Sequence, residues 1–186
     1  MKLVSVIMPY FKKKEYMMKS LNSIISQSYK NLEIIIIDDE LSTESKKLLK
    51  QVSNLDQRIR IISNPLNLGA GLSRNNGISI SKGEFIAFCD CDDLWFKDKL
   101  RTQIEFMEKN NFNFTFSAYK IIDQNDKFIG SRDAKTNISF KELINSCDIG
   151  LSTVVLKKSL LKNNKFLFPN LKTKEDYVLW IGRAHV

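Results

Sequence analysis

The sequence predicts an α/β fold built on a largely parallel sheet. Three observations carry that prediction. Strand-like and helix-like segments alternate along the chain. The segment Leu32–Ile37 is almost continuously apolar, as expected of a strand covered on both faces. Acidic clusters follow directly on two strand-like segments, Asp38-Asp39 on one and Asp90-Cys91-Asp92-Asp93 on the other. Ligands of open α/β sheets bind beyond the carboxyl ends of strands, so these clusters are candidates for one crevice.

The elements follow in order. Leu3–Met8 is a short β-rich run that Pro9 is expected to end. Glu15–Ser28 carries Met17, Met18, Leu21, Ile24 and Ile25 at helical spacing. After the Leu32–Ile37 strand, Thr43–Val52 reads as a helix with Ser42 as its N-cap. Arg58–Ser63 alternates as a strand and stops at Asn64-Pro65. Leu72–Ser81 is a helix entered through Asn67-Leu68-Gly69-Ala70-Gly71, and Glu84–Cys89 is the fourth strand. Lys97–Asn110 is an amphipathic helix with Leu100, Ile104 and Met107 on one face. Asn113–Ile122 reads as one strand, with Phe128-Ile129 as a short hairpin partner. Ser139-Phe140-Lys141-Glu142 fits a capping box for a helix over Phe140–Cys147. Leu151–Leu156 reads as a strand and Asp176–Ala184 as a last helix.

With 186 residues and no Pro/Gly/Ser-rich linker, one domain is expected over 1–186. Its nucleotide-binding half is 1–123, and 124–186 is a smaller, more irregular half. No apolar run approaches the ~18–20 residues of a membrane span, and the N-terminus enters a strand pattern without a signal-peptide core. Cys89, Cys91 and Cys147 lack metal-site spacing and read as buried free thiols of a reducing cytoplasm. His185 is the only histidine, which removes Ser/His and Cys/His nucleophilic systems. The net charge of +8 is read first as solvated helix faces, and second as attraction to an anionic membrane surface. No basic segment has the aromatic spacing of a nucleic-acid platform.

The acidic clusters carry the chemistry. Carboxylates are hard ligands suited to Mg²⁺ or Mn²⁺, and such ions clamp phosphate oxygens. Asp90 and Asp92, two residues apart, can address a cation and a ribose hydroxyl together; otherwise Asp92 and Asp93 simply start the turn before Trp95. Asp39 can accept the imide N–H of a uracil ring, or else it or Asp38 caps the following helix. Gly69-x-Gly71 is not a dinucleotide fingerprint, because Arg74 stands where the third glycine belongs. Arg74 suits a phosphate, a base carbonyl or a surface salt bridge. Glu175-Asp176 opens the last helix, where the dipole favours a carboxylate and a general base is equally well placed.

Several ordered motifs resemble family 2 glycosyltransferases. They are Val4 to Phe11, Ser23 to Tyr29, Glu33 to Asp39, Asn67 to Ile78, Gly83 to Asp93 with its DxD motif, Gly150 to Thr153, and Glu175 to Trp180. The resemblance implies a GT-A fold, a nucleotide-sugar donor, UDP-linked above all, and an inverting single displacement. By position it implies that Pro9 and Tyr10 line the nucleotide pocket, Asp39 reads the base and Arg74 supports it. Asp90 and Asp92 would bracket ribose, metal (Mn²⁺ or Mg²⁺) and diphosphate, with Asp92 the metal ligand. Asp93 would contact a sugar, and Asp176 would deprotonate the acceptor hydroxyl. The implied partner is a glycan or lipid-linked acceptor in cell-surface polysaccharide or lipooligosaccharide synthesis. The implied place is the cytoplasm, or the inner face of its membrane.

Two departures stand out. Glu40-Leu41-Ser42 follows the first acidic pair, where the family has small residues. The chain also stops at Val186, soon after Asp176, which raises a shortened, non-catalytic nucleotide-binding remnant as the alternative. A sugar-nucleotide pyrophosphorylase would need a Gly-rich basic loop after the first strand, and Pro9-Tyr10-Phe11-Lys12 is not one.

Overall fold

The computed structural model describes residues 1–136, 138–161 and 167–181. Its centre is a six-stranded sheet in the order β3-β2-β1-β4-β8-β5. Strands β1 (Val4–Tyr10), β2 (Leu32–Asp38), β3 (Ile59–Ser63) and β4 (Phe85–Phe88) run parallel. Strand β8 (Val155–Lys157) runs antiparallel between β4 and β5 (Phe114–Thr115). Helices α1 (Lys14–Ile25), α2 (Thr43–Val52) and α4 (Lys99–Asn110) cover one face. Helices α3 (Ala70–Ile80), α5 (Phe140–Asn145) and α6 (Glu175–Ile181) pack on the other. Every residue of β1 and β2 is buried, which is why Leu32–Ile37 lacks polar alternation. This is the expected GT-A-like arrangement.

The local signals that held are the polar ones. Ser42 Oγ accepts from the Ser45 amide at 2.9 Å and caps α2. Ser139 and Glu142 form a complete capping box at α5. Gly77 lets α3 lie directly on β1, because a Cβ there would stand 2.6 Å from Ile7 Cγ2.

Four expectations need correction. Strand β1 does not end at Pro9 but runs through it to Tyr10. Met8 and Tyr10 turn their hydrogen bonds toward β2, so Pro9 faces β4, whose pairing has already ended at Ile7↔Phe88. The missing N–H therefore costs no ladder bond. Asn113–Ile122 is not one strand, since β5 belongs to the main sheet and β6 (Tyr119–Ile122) to a separate hairpin with β7 (Phe128–Arg132). Leu151–Leu156 begins as a 3₁₀ turn over Leu151–Thr153 before β8. Cys147 is exposed, whereas Cys89 and Cys91 are buried. His185 and the end of the expected last helix lie outside the described residues.

A polar layer sits inside the sheet near the amino ends of its strands. Glu33 Oε1 accepts from Ser5 Oγ and from the Lys82 amide, both at 2.6 Å, and Oε2 pairs with Arg60 at 3.0 Å. Burial raises the Glu33 carboxyl, but these bonds outweigh it and hold it below the ordinary value.

Candidate active site

Strand β1 is the switch point of the sheet, with β2 and β3 on one side and β4 on the other. The crevice lies beyond the carboxyl ends of these strands. On its β2 side, Asp38 Oδ1 accepts from the amides of Glu40 and Leu41 (3.1 and 3.2 Å), and Oδ2 accepts from Ser45 Oγ at 3.2 Å. Asp38 thus closes the turn into α2. Asp39 does not cap that helix. Its Oδ1 accepts from Asn64 Nδ2 (2.7 Å) and the Leu68 amide (2.8 Å). Its Oδ2 accepts from the Gly69 amide (2.8 Å) and Asn67 Nδ2 (3.1 Å). The loop 64–69 is therefore folded around the Asp39 carboxylate, and Gly69 at φ +84° turns it into α3.

Glu40, the departure noted in the sequence, joins two loops of the crevice. Its Oε2 accepts from the Lys12 amide at 3.0 Å and its Oε1 from Ser42 Oγ at 2.7 Å, and it also bonds the Tyr10 hydroxyl. Burial, followed by the charge of Glu40, pushes the Tyr10 phenol up to about 12. Lys12 and Leu41 both adopt left-handed backbone at φ +50° and +64°, so Glu40 ties together two constrained turns. Pro9 and Tyr10 are buried, Tyr10 to 2% exposure. The aromatic side chain offered to solvent there is Phe11, at 44%. Sequence reading missed Phe11, although it is the first residue past the strand.

Arg74 is neither on the surface nor free. Its Nη2 donates to Asp90 Oδ1 at 2.7 Å and its Nη1 to Glu175 Oε1 at 2.6 Å, with its guanidinium over the Phe168 ring at 5.4 Å. The next two residues continue the pattern. Asn75 exchanges hydrogen bonds with the backbone of Phe168, and Asn76 Nδ2 donates to Asn64 Oδ1, the same Asn64 that holds Asp39. Gly71 lets α3 approach closely, since a Cβ there would meet Glu175 Cγ at 3.0 Å and Pro169 O at 3.1 Å.

The segment 90–93 forms the β4 side. Ser152 Oγ accepts from the Asp90 amide at 3.0 Å and donates to Asp93 Oδ2. Desolvation raises the Asp93 carboxyl and the Ser152 bond offsets part of this. Repulsion from Asp90 and Asp92 adds to it, leaving the group at about 6. Asp92 is exposed, and its Oδ2 lies 3.0 Å from Lys13 Nζ. Burial pushes the Cys91 thiol up to about 12, so it is no nucleophile. Asp176 is half-buried at the start of α6, where Oδ1 accepts from the Tyr177 amide at 2.8 Å. Its carboxyl is raised, chiefly by burial and further by the charges of Glu175 and Asp90.

Among the described residues no three acidic, His or Cys side chains converge as a ready-made metal cage. An ion held by one or two carboxylates and completed by phosphate oxygens does not need one. Asp92, exposed and already facing a cation, fits that pattern, with Asp90 beside it. A cavity of about 530 Å³ opens next to Asp92, between α1 and the β6–β7 turn.

A mostly parallel sheet with carboxylates gathered at its switch point defines a GT-A-like domain. The glycosyl transferase family 2 profile matches residues 5–166, and the chain belongs to that family. It is 38% identical over 180 residues to WfgD of Escherichia coli, a UDP-Glc:alpha-D-GlcNAc-diphosphoundecaprenol beta-1,3-glucosyltransferase. That match covers 97% of this chain and 69% of the relative. It is 32% identical to TuaG of Bacillus subtilis, a putative teichuronic acid biosynthesis glycosyltransferase, over 97% of this chain and 71% of TuaG. Among solved structures, S. aureus TarS in complex with UDP-GlcNAc superposes with a TM-score of 0.75 at 27% identity. This chain is covered to 96% and spans 52% of that one. No helix among the described residues is long and apolar enough to cross a membrane.

Proposed function

We propose that this chain is the catalytic domain of a metal-dependent, inverting glycosyltransferase. It transfers a sugar from a UDP-sugar to a hydroxyl of a glycan or lipid-linked acceptor, in the assembly of a cell-surface polysaccharide. The observation that carries this reading is the Arg74 fork. It joins Asp90, at the end of β4, to Glu175, the neighbour of Asp176. The diphosphate side and the acceptor side of one crevice are thus held in fixed relation. The UDP-Glc in WfgD's name and the UDP-GlcNAc bound in the TarS complex support the choice of donor, and the diphosphoundecaprenol in WfgD's name supports a lipid-linked acceptor.

In this reading Phe11 offers its ring to the base, and the turn around Asp39 supplies the polar edge that selects it. Asp92, with Asp90, would hold Mn²⁺ or Mg²⁺, which when bound neutralises charge on the diphosphate leaving group. Asp93 and Ser152 face the transferred sugar. Asp176 takes the proton from the acceptor oxygen as that oxygen attacks the anomeric carbon opposite the leaving group. Its raised pKa makes it a stronger base than a free aspartate.

Calorimetric titration of UDP, with GDP as control and with and without Mn²⁺, tests the donor site. Metal-dependent UDP binding is expected, and Asp92→Ala should abolish the metal dependence. Asp176→Asn should keep donor binding and lose transfer. A folded protein that binds no UDP would refute the reading.

A further inference from the structure

We propose that the β6–β7 hairpin, together with the segment just after Asp93, is a docking surface for an anionic lipid bilayer. The idea extends the function above, since a lipid-linked acceptor resides in such a surface, but it stands on separate residues. Phe96 is 70% exposed and Phe128 57%. Single exposed hydrophobics are ordinary, whereas a contiguous group marks an interaction surface. These two are contiguous through one cation, because Lys120 Nζ lies 5.7 Å from the Phe96 ring centroid and 6.0 Å from that of Phe128. Ile122 is the hairpin partner of Phe128 and, with Leu94, lines the cavity beside Asp92.

The chemistry is that of an interface between apolar and charged phases. Aromatic rings and a lysine with an apolar stem and a charged head are side chains that settle at headgroup depth. The charge favours anionic lipid. The chain carries +8, exposed Lys97, Lys120, Lys127 and Arg132 stand in or beside the patch, and of the acids lining the cavity Asp126 pairs with Lys19 and Asp92 with Lys13. Asp123 Oδ1 is committed to the amides of Asn125 and Lys127 within the turn. The geometry gives the surface a purpose, because Leu94 and Ile122 border both the exposed patch and the cavity that reaches Asp92. A molecule anchored in the bilayer at this patch would have its polar head beside the crevice.

Vesicle flotation tests this with phosphatidylcholine alone and with one part phosphatidylglycerol to two of phosphatidylcholine. The protein should float with the anionic vesicles, less so as salt rises, and scarcely with the neutral ones. Phe96→Ser combined with Phe128→Ser should weaken binding by about tenfold or more, and Lys120→Glu by several-fold. Phe106→Ser, on the exposed face of α4 against Phe112, is the control and should bind as the parent does. Circular dichroism on each variant establishes that it is folded. Absence of binding by the folded parent, or unchanged binding by the double variant, overturns the proposal. So does a self-association of the parent that the double variant abolishes without any vesicle binding. UDP titration of the same samples separates the two ideas: lost UDP binding with intact flotation refutes the donor site alone, and the reverse refutes the docking surface alone.

Discussion

Arg74 Nη1 lies 2.6 Å from Glu175 Oε1, joining residues 101 positions apart in the chain. The same guanidinium holds Asp90; its pair with Glu175 is shielded from water, while the Asp90 side chain is 34% exposed. Removing the cation strands carboxylates that face each other. Arg74→Met should cost about 3–5 kcal/mol in chemical denaturation, as expected when one partner of a buried ion pair is removed. Arg74→Lys keeps the charge but not the fork, and should recover only part of the loss. An unchanged denaturation midpoint for Arg74→Met would refute the role given to this residue.

Lys13 occupies Asp92 in the way a metal ion would. The two compete, so Lys13→Ala should bind Mn²⁺ more tightly. The pair is well exposed, which limits the gain to about 1 kcal/mol, or about fivefold. Titration of Mn²⁺ followed by electron paramagnetic resonance reads this directly. Weaker Mn²⁺ binding by the variant would show that the lysine assists the ion instead.

Glu40 bonds the Tyr10 hydroxyl and the Lys12 amide. Glu40→Ala should loosen the turn that carries Phe11 and weaken UDP binding by about tenfold, the value of one hydrogen bond to a charged group. The Tyr10 phenol, pushed up to about 12 by burial and then by Glu40, should fall in the variant without reaching its ordinary value, because burial remains. Ultraviolet titration of the phenolate measures it. A phenol unmoved by the substitution would remove Glu40 from its environment.

Glu33 sets an acid limit on stability. Its folded pKa is depressed, so its contribution is complete above the ordinary carboxylate value of about 4.3 and disappears as pH falls through the lower folded value. The parent should lose stability over that window. Glu33→Gln should be less stable at neutral pH and show a flatter decline below about pH 4. Denaturant melts across the acid range would show parallel curves if Glu33 were not responsible.

The parts of this molecule legible in its sequence are those fixed by nearby residues. The strand β2 announced itself by its isoleucines, and Ser42 and Ser139 announced the helices they cap. What was not legible depended on distant partners. Asn113–Ile122 looks like one strand because nothing local says that Thr115 pairs with Val155 while Tyr119 pairs with Arg132. Pro9 looks like a stop because its tolerance depends on where β4 ends. The acidic residues of the site were visible as a set, yet their division of labour was not. Asp39 is enclosed by loop 64–69 and Asp92 stands open, a difference made by Asn64, Asn67 and Lys13. Phe11 was hidden by its neighbour, for only the observed end of β1 shows which of the two aromatic residues is buried.

Three consecutive residues of helix α3 hold four partners: Arg74 holds Asp90 and Glu175, Asn75 holds Phe168, and Asn76 holds Asn64. The helix is thereby a jig in which angular phase, more than side-chain identity alone, sets the tolerance. Inserting one residue before Arg74 would rotate all three by about 100° at once. This turn of helix therefore admits no insertion.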